Sequence, residues 1–269
     1  MIIIILILVL LSIFYYSNNE LFDNFVSMHT QVMYVELMKF IGISNCNKID
    51  EETSICTVSD KKYIILNNDI VISDFLRASM PWEQFMHKYF IKFGDKNMNA
   101  IDIGANIGTH VVYLSNYFKT VYAFEPQKKV FEILNKNIKL NNITNVITYQ
   151  NGLGNEDKIV KMRGYSNNQP ENIGAINIDE NGSGEEIVVK TLDSFNLTNI
   201  KFIKMDVEGY EYFVLLGGKN TILQSKPIII IELNYTGSNY KENVLDFFKS
   251  INYKLTRFSN HDYIAEPIS

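Results

Sequence analysis

The chain has 269 residues, 46% hydrophobic and 20% charged, with a net charge of −5 and only two cysteines. That length holds one α/β domain plus a short appendage, and a core of that size needs no disulfide framework. The acidic balance, with no basic stripe interleaved with aromatics, argues against a nucleic-acid partner.

Met1–Tyr16 is apolar apart from Ser12, and no charge precedes Glu20. As a helix it would span about 24 Å, short of the roughly 30 Å hydrocarbon core but within reach of a thinned bilayer. A single-pass N-terminal membrane anchor is the leading reading. The alternatives are a cleaved signal peptide, giving a secreted or lumenal protein, and a buried segment of the fold; a missing basic n-region weighs against the first and a missing polar face against the second. No Lys or Arg precedes the segment and the first one after it is Lys39, so topology stays open. Leu21–Ile43 has helical periodicity. Cys46 and Cys56 could close a small loop in an oxidising lumen or remain thiols in the cytosol, and free thiols are favoured. Thr57–Val58, Tyr63–Leu66 and Ile70–Ile72 read as short strands of a small β cap. Pro81 and Trp82 then open a helix expected to reach about Phe90, with Trp82, Phe85 and Tyr89 facing inward. Residues 1–20 are thus expected to be the anchor, 21–80 an N-terminal helix and β cap, and 81–269 the main domain.

From Ala100 onward strands and helices alternate. Strands are expected at Ala100–Ile103, Val121–Phe124, Val146–Gln150, Phe202–Met205 and Ile228–Leu233, with helices at Thr109–Tyr117, Lys128–Leu140 and Tyr210–Leu216. That alternation predicts an α/β fold, a doubly wound, mostly parallel Rossmann-like sheet. Gly152–Thr191 reads as an inserted meander, with strands Lys158–Arg163 and Glu185–Thr191 flanking a polar loop, Tyr165–Gly184, that is a candidate lid or substrate rim. A helix at Lys241–Ile251 and an antiparallel hairpin, Tyr253–Phe258 with Asp262–Ala265, complete the sheet.

Two motifs carry chemistry. The first is AIDIGANIGTH, Ala100–His110, followed by FEP at Phe124–Pro126. A strand ending in an acid, a glycine turn, a helix and a second strand ending in Glu125 form an adenosine-binding βαβ unit. A dinucleotide site wants a middle glycine for close approach of the pyrophosphate, and here Asn106 stands between Gly104 and Gly108. The loop therefore suits a cofactor without phosphates. S-adenosylmethionine fits: helix-start amides can take its carboxylate, Asp102 or loop carbonyls its ammonium, and Glu125 its ribose hydroxyls. The second motif is IKMDVEGYE, Ile203–Glu211, which places Asp206 and Glu208 outside the carboxyl end of a strand, where open parallel sheets bind ligands. For Glu211 helix capping or a solvated face is the leading reading, and for His110 packing or a hydrogen bond.

DIGANIGTH, AFEPQKKVFEILNKNIKLN, KTLDSF, IKMDVEGYEYFVLLGG and KPIIIIELN, in that order, resemble the FkbM-type methyltransferase family over about Trp82–Asn234. The resemblance implies a class I, S-adenosylmethionine-dependent O-methyltransferase acting on hydroxyls of sugars, glycolipids or polyketide-type products. It implies cofactor contacts from Asp102, Gly104, Ala105, Asn106, Gly108, Glu125 and Pro126, with Gly152 and Leu153 as the adenine wall. An alcohol needs its proton taken before it attacks a sulfonium methyl group, so a carboxylate base is expected. Glu208 is that candidate, Asp206 orients substrate or contacts the cofactor, and Glu211 and Glu232 are reserves. Mg²⁺ on Asp206, Glu232 and Asn234 is possible chemistry but not favoured, because the same acids have duties without it. The rivals are a nicotinamide-dependent oxidoreductase, which the missing glycine opposes, and an inactive binding module at a membrane, which the retained Asp102 and Glu125 oppose.

Overall fold

The computed structural model describes residues 20–163, 170–172, 184–234 and 240–268. Met1–Tyr16, the expected anchor, lies outside these residues, as does nearly all of the Tyr165–Gly184 loop. Among the described residues no helix is long and apolar enough to cross a membrane.

Helix α1 (Glu20–Phe40) leads to a small antiparallel sheet of β1 (Cys46–Lys48), β2 (Thr53–Val58) and β3 (Lys61–Leu66). Its register puts Cys46 opposite Cys56, and the two form a disulfide, which overturns the expectation of free thiols. Pairing of β1 with β2 makes the two cysteines neighbours across a sheet and closes the small loop that was the alternative to free thiols. A second correction concerns Ile70–Ile72, which is no strand. Asp69 accepts the amides of Val71 and Ser73, at 3.3 and 2.6 Å, so the apolar run turns into α2 (Ile72–Arg77). Pro81 and Trp82 do not open a helix either: Glu83 adopts a left-handed conformation, φ 45°, followed by a 3₁₀ turn over Gln84–Met86 and then α3 (His87–Phe93).

The main domain follows the expected alternation. In order come β4 (Asn99–Ile103), α4 (Thr109–Leu114), β5 (Val121–Phe124), α5 (Lys128–Leu140), β6 (Val146–Tyr149), the meander strands β7 (Gly152–Leu153), β8 (Lys158–Met162) and β9 (Glu185–Lys190), then β10 (Ile200–Met205), α6 (Glu211–Gly217), α7 (Lys219–Ser225), β11 (Ile228–Glu232), α8 (Tyr240–Ser250), β12 (Tyr253–Arg257) and β13 (Asp262–Pro267). The central sheet runs β12-β13-β11-β10-β4-β5-β6, parallel except for β13, which lies antiparallel between β11 and β12. Its central strands are apolar on both faces, as helices on both sides require: Ile101, Phe202, Ile203, Ile229 and Ile231 are fully buried. The meander forms a separate sheet, β7-β9-β8, beside the carboxyl end of β6. Because β4, β5 and β10 are parallel and in register, their carboxyl ends converge at one edge, and loops 104–108, 125–127 and 206–210 meet there.

Candidate active site

A cavity of about 250 Å³ lies at that edge. Its floor is built by close backbone approach. Gly104 has φ +82°, and a Cβ there would lie 1.9 Å from the carbonyl oxygen of Asp206, so only glycine lets β4 and β10 open onto a common cleft. Gly108, φ +89°, serves packing: its Cβ would meet Leu134 at 2.6 Å.

At one end Glu125, 4% exposed, accepts the Asn106 amide at 3.0 Å and the Gln127 amide at 2.9 Å. The loop amide that a pyrophosphate would need is thus already held by a carboxylate, and the spare lone pairs of that carboxylate face the cavity. Burial pushes Glu125 up to about 7, against the two amide bonds, which lower it. Ala105, Asn106, Pro126, Gly152 and Leu153 line the same end, with Phe124 behind them. These residues fit an adenosine: an apolar slot, an acid for the ribose hydroxyls and a loop that repels phosphate.

Two predicted cofactor residues are not at the surface of the cavity. Gly108 lies behind it. Asp102 is fully buried, borders none of it, and neither carboxylate oxygen has a hydrogen-bond partner among the described residues. In the β4–β10 register it stands beside Lys204, a buried countercharge. Burial raises its pKa, opposed by Lys204.

The opposite end is acidic. Asp206, Glu208 and Glu232 bring carboxylate oxygens within 4.8 Å of one another. Lys204, 4% exposed, places its ammonium 3.2 Å from Asp206. Burial alone would lower the lysine's pKa, but Asp206, Asp102 and Glu83 outweigh it and keep the ammonium charged. Asp206 is held below the usual carboxylate range because Lys204 and the Glu232 hydroxyl overcome its burial. Glu232 is pushed up to about 10, first by burial and then by Asp206, so at neutral pH it is a protonated donor to Asp206. Glu208 adopts φ 53°, an uncommon conformation for a non-glycine residue, and burial with the nearby Asp206 brings it to about 7. Three carboxyls at this spacing could offer oxygen ligands to a cation, and the Lys204 ammonium already stands 3.2 Å from one of them.

Glu211, 2% exposed and therefore no solvated face, accepts the amides of Val207 and Gly209 at 3.1 and 3.3 Å in the turn that precedes α6. His110 lines the cavity, bonds Glu83 Oε2 through Nε2 at 2.9 Å and meets Phe90 edge-on at 5.6 Å. Burial, then Lys204, lowers it to about 4, so it is neutral at pH 7. Glu83 and Lys204 escaped the sequence reading. Lys204 could have been noticed as one of two charges, with Lys201, in the otherwise apolar strand IKFIKM, whereas Glu83 belongs to no motif.

A family model described as the methyltransferase FkbM domain matches residues 102–255, more than half of the chain. Methyltransferase 1 of Beauveria bassiana is 28% identical over 141 residues, covering 44% of this chain and 57% of that protein. Hexuronic acid methyltransferase AglP of Haloferax volcanii is 31% identical over 158 residues, covering 56% and 62%. The chain therefore spans about three fifths of the length of these curated relatives. A crystal structure of methyltransferase FkbM from Methylobacillus flagellatus superimposes with a TM-score of 0.49 at 18% identity, covering 72% of this chain and 52% of that one. The chain belongs to the FkbM methyltransferase family.

Proposed function

We propose that this protein is an S-adenosylmethionine-dependent O-methyltransferase that methylates a hydroxyl of a sugar, glycan or glycolipid. The observation that carries the reading is the single cavity with two unlike ends, an adenosine-type slot closed by Glu125 and a carboxylate cluster around Glu208. The relative from Haloferax volcanii, named for a hexuronic acid, supports a sugar acceptor.

S-adenosylmethionine, when bound, supplies an electrophilic methyl group, and its transfer to an alcohol leaves S-adenosylhomocysteine, a methyl ether and a proton. The chain's part is alignment, exclusion of water and removal of that proton. Glu125, Asn106 and the Gly152–Leu153 edge hold the adenosine. Glu208 takes the hydroxyl proton: with its pKa near 7 it is ionised in part at neutral pH and still basic enough to accept. Asp206, fixed by Lys204, and protonated Glu232 orient the acceptor by hydrogen bonds.

Membrane attachment through Met1–Tyr16 is part of the proposal on the sequence alone, and fractionation of the expressed full chain tests it. Calorimetric titration of the full chain with S-adenosylmethionine, S-adenosylhomocysteine and NADH tests the cofactor. Micromolar binding of the first two and none of NADH is expected, and absence of binding by either would end the methyltransferase reading.

A further inference from the structure

The acceptor end of the cavity has a one-sided charge balance. Glu83, Asp206, Glu208 and Glu232 line it from three separate segments of the chain. Among the described residues lining the cavity, Lys204 is the one Lys or Arg, and its ammonium is already engaged by Asp206 at 3.2 Å. His110 brings no charge, because burial and the neighbouring Lys204 hold it neutral, and its Nε2 is already hydrogen-bonded to Glu83 at 2.9 Å. The nearest arginine along the meander, Arg163, is paired with Glu171. The sequence offers no hidden cation either: residues 164–183 and 235–239 contain no Lys or Arg, and the former include Asp179 and Glu180.

A bound carboxylate or phosphate needs a cation or several convergent amides, and recognition of either usually falls to arginine. None is free here. Placed against Glu83 and Glu208, an anionic acceptor would face like charges in a half-buried cleft, where they are less screened than in bulk water. Protonating those acids would relieve the repulsion but would also remove the base. An uncharged polyol meets acceptors and donors on every side, and an added ammonium would meet countercharges.

We infer that the acceptor carries no anionic group beside the methylated hydroxyl, and is a neutral or amino sugar and not a hexuronic acid or phosphosugar. This rests on the methyltransferase reading and narrows its substrate class. Glu83 is central to it, because it lines the acceptor end from a segment outside the matched residues 102–255.

The test is methyl transfer by the full chain from S-adenosylmethionine labelled in its methyl group. Matched aryl glycosides of glucose, galactose and mannose are offered in neutral, 6-carboxyl and 2-amino forms, and cofactor binding is measured on the same sample. We expect kcat/KM for the best neutral or amino sugar to exceed that of its 6-carboxyl partner by about 100-fold. Glu83→Gln should narrow that ratio about tenfold. Comparable transfer to a 6-carboxyl sugar, at a hydroxyl or at the carboxylate, would overturn the inference, as would a ratio unchanged by Glu83→Gln. Transfer to no sugar with cofactor binding intact would overturn it too, whereas absent cofactor binding would instead bring down the methyltransferase reading beneath it.

Discussion

Glu125 and Glu208 are both carboxylates with pKa values near 7, yet their surroundings give them different duties. Glu125 is tied to two backbone amides, which fixes its rotamer and leaves it only to accept. Glu125→Ala should weaken S-adenosylmethionine binding at least tenfold, equivalent to about 1.4 kcal/mol, because ribose contacts and loop anchoring go together. Glu125→Gln should lose less, since one oxygen still accepts. Calorimetry separates the two. Glu208 makes no such bonds and must be ionised to work, so kcat/KM should rise with pH through about 7 and level off above it. Glu208→Gln should lower kcat by about 100-fold or more and abolish that limb while leaving cofactor affinity within about twofold. A normal turnover rate in this variant would remove Glu208 as the base. Both acids were legible because each ends or follows a strand in an α/β pattern, where geometry places ligands. Glu83 was not, since its place depends on a left-handed turn and on tertiary contact with His110.

Between elements, the decisive joint is Asn137 on α5, fully buried. Its Oδ1 accepts the Ile64 amide at 2.6 Å, and its Nδ2 donates to the carbonyls of Ile64 and Ile107, at 3.0 and 2.8 Å. One side chain thus fastens the β cap, the helix and the cofactor loop. Asn137→Leu would strand three backbone groups in the interior and should cost about 3 kcal/mol, read as a lower urea midpoint. The disulfide acts more locally. Replacing Cys46 and Cys56 together by serine should remove about 2–3 kcal/mol from the cap through the freed ten-residue loop. Cofactor affinity should hardly move, because neither cysteine lines the cavity. A large fall in affinity would show that the cap shapes the site more directly than its contacts imply. The long periodic helix α5 was read at its true ends, since its apolar stripe and flanking asparagine mark them. The short elements around Ile70 and Pro81 were misread because side-chain caps from Asp69 and the turn at Glu83 outweigh local propensity there.

Across the whole molecule, the order of the sheet followed from alternation of buried strands and amphipathic helices, but the concentration of charge beneath it did not. Acids far apart in sequence, from Glu83 to Asp262, become neighbours only after the fold closes. Glu83, Glu125, Glu208, Glu211 and Asp262 are pushed up to about 7 and Glu232 to about 10, in each case first by burial. The folded state therefore binds these protons more tightly than the unfolded chain. Stability from these groups is full below their ordinary carboxylate range and is lost as pH rises through about 7, with Glu232 extending the loss toward 10. Asp206, shifted the other way, loses its contribution only as pH falls below the usual carboxylate range, outside this window. The ligand-free protein should accordingly melt at a lower temperature at pH 8 than at pH 5.5, by about 5 °C or more. Saturating S-adenosylmethionine brings a sulfonium cation into the ionised site and should shrink that difference, while S-adenosylhomocysteine, without the sulfonium, should shrink it less. Differential scanning calorimetry at the two pH values, with each ligand in turn, measures this directly. A melting temperature that rises from pH 5.5 to pH 8 would mean that the buried acids are ionised and paired in the folded state, and that the cavity holds its charge by contacts other than those derived from Lys204.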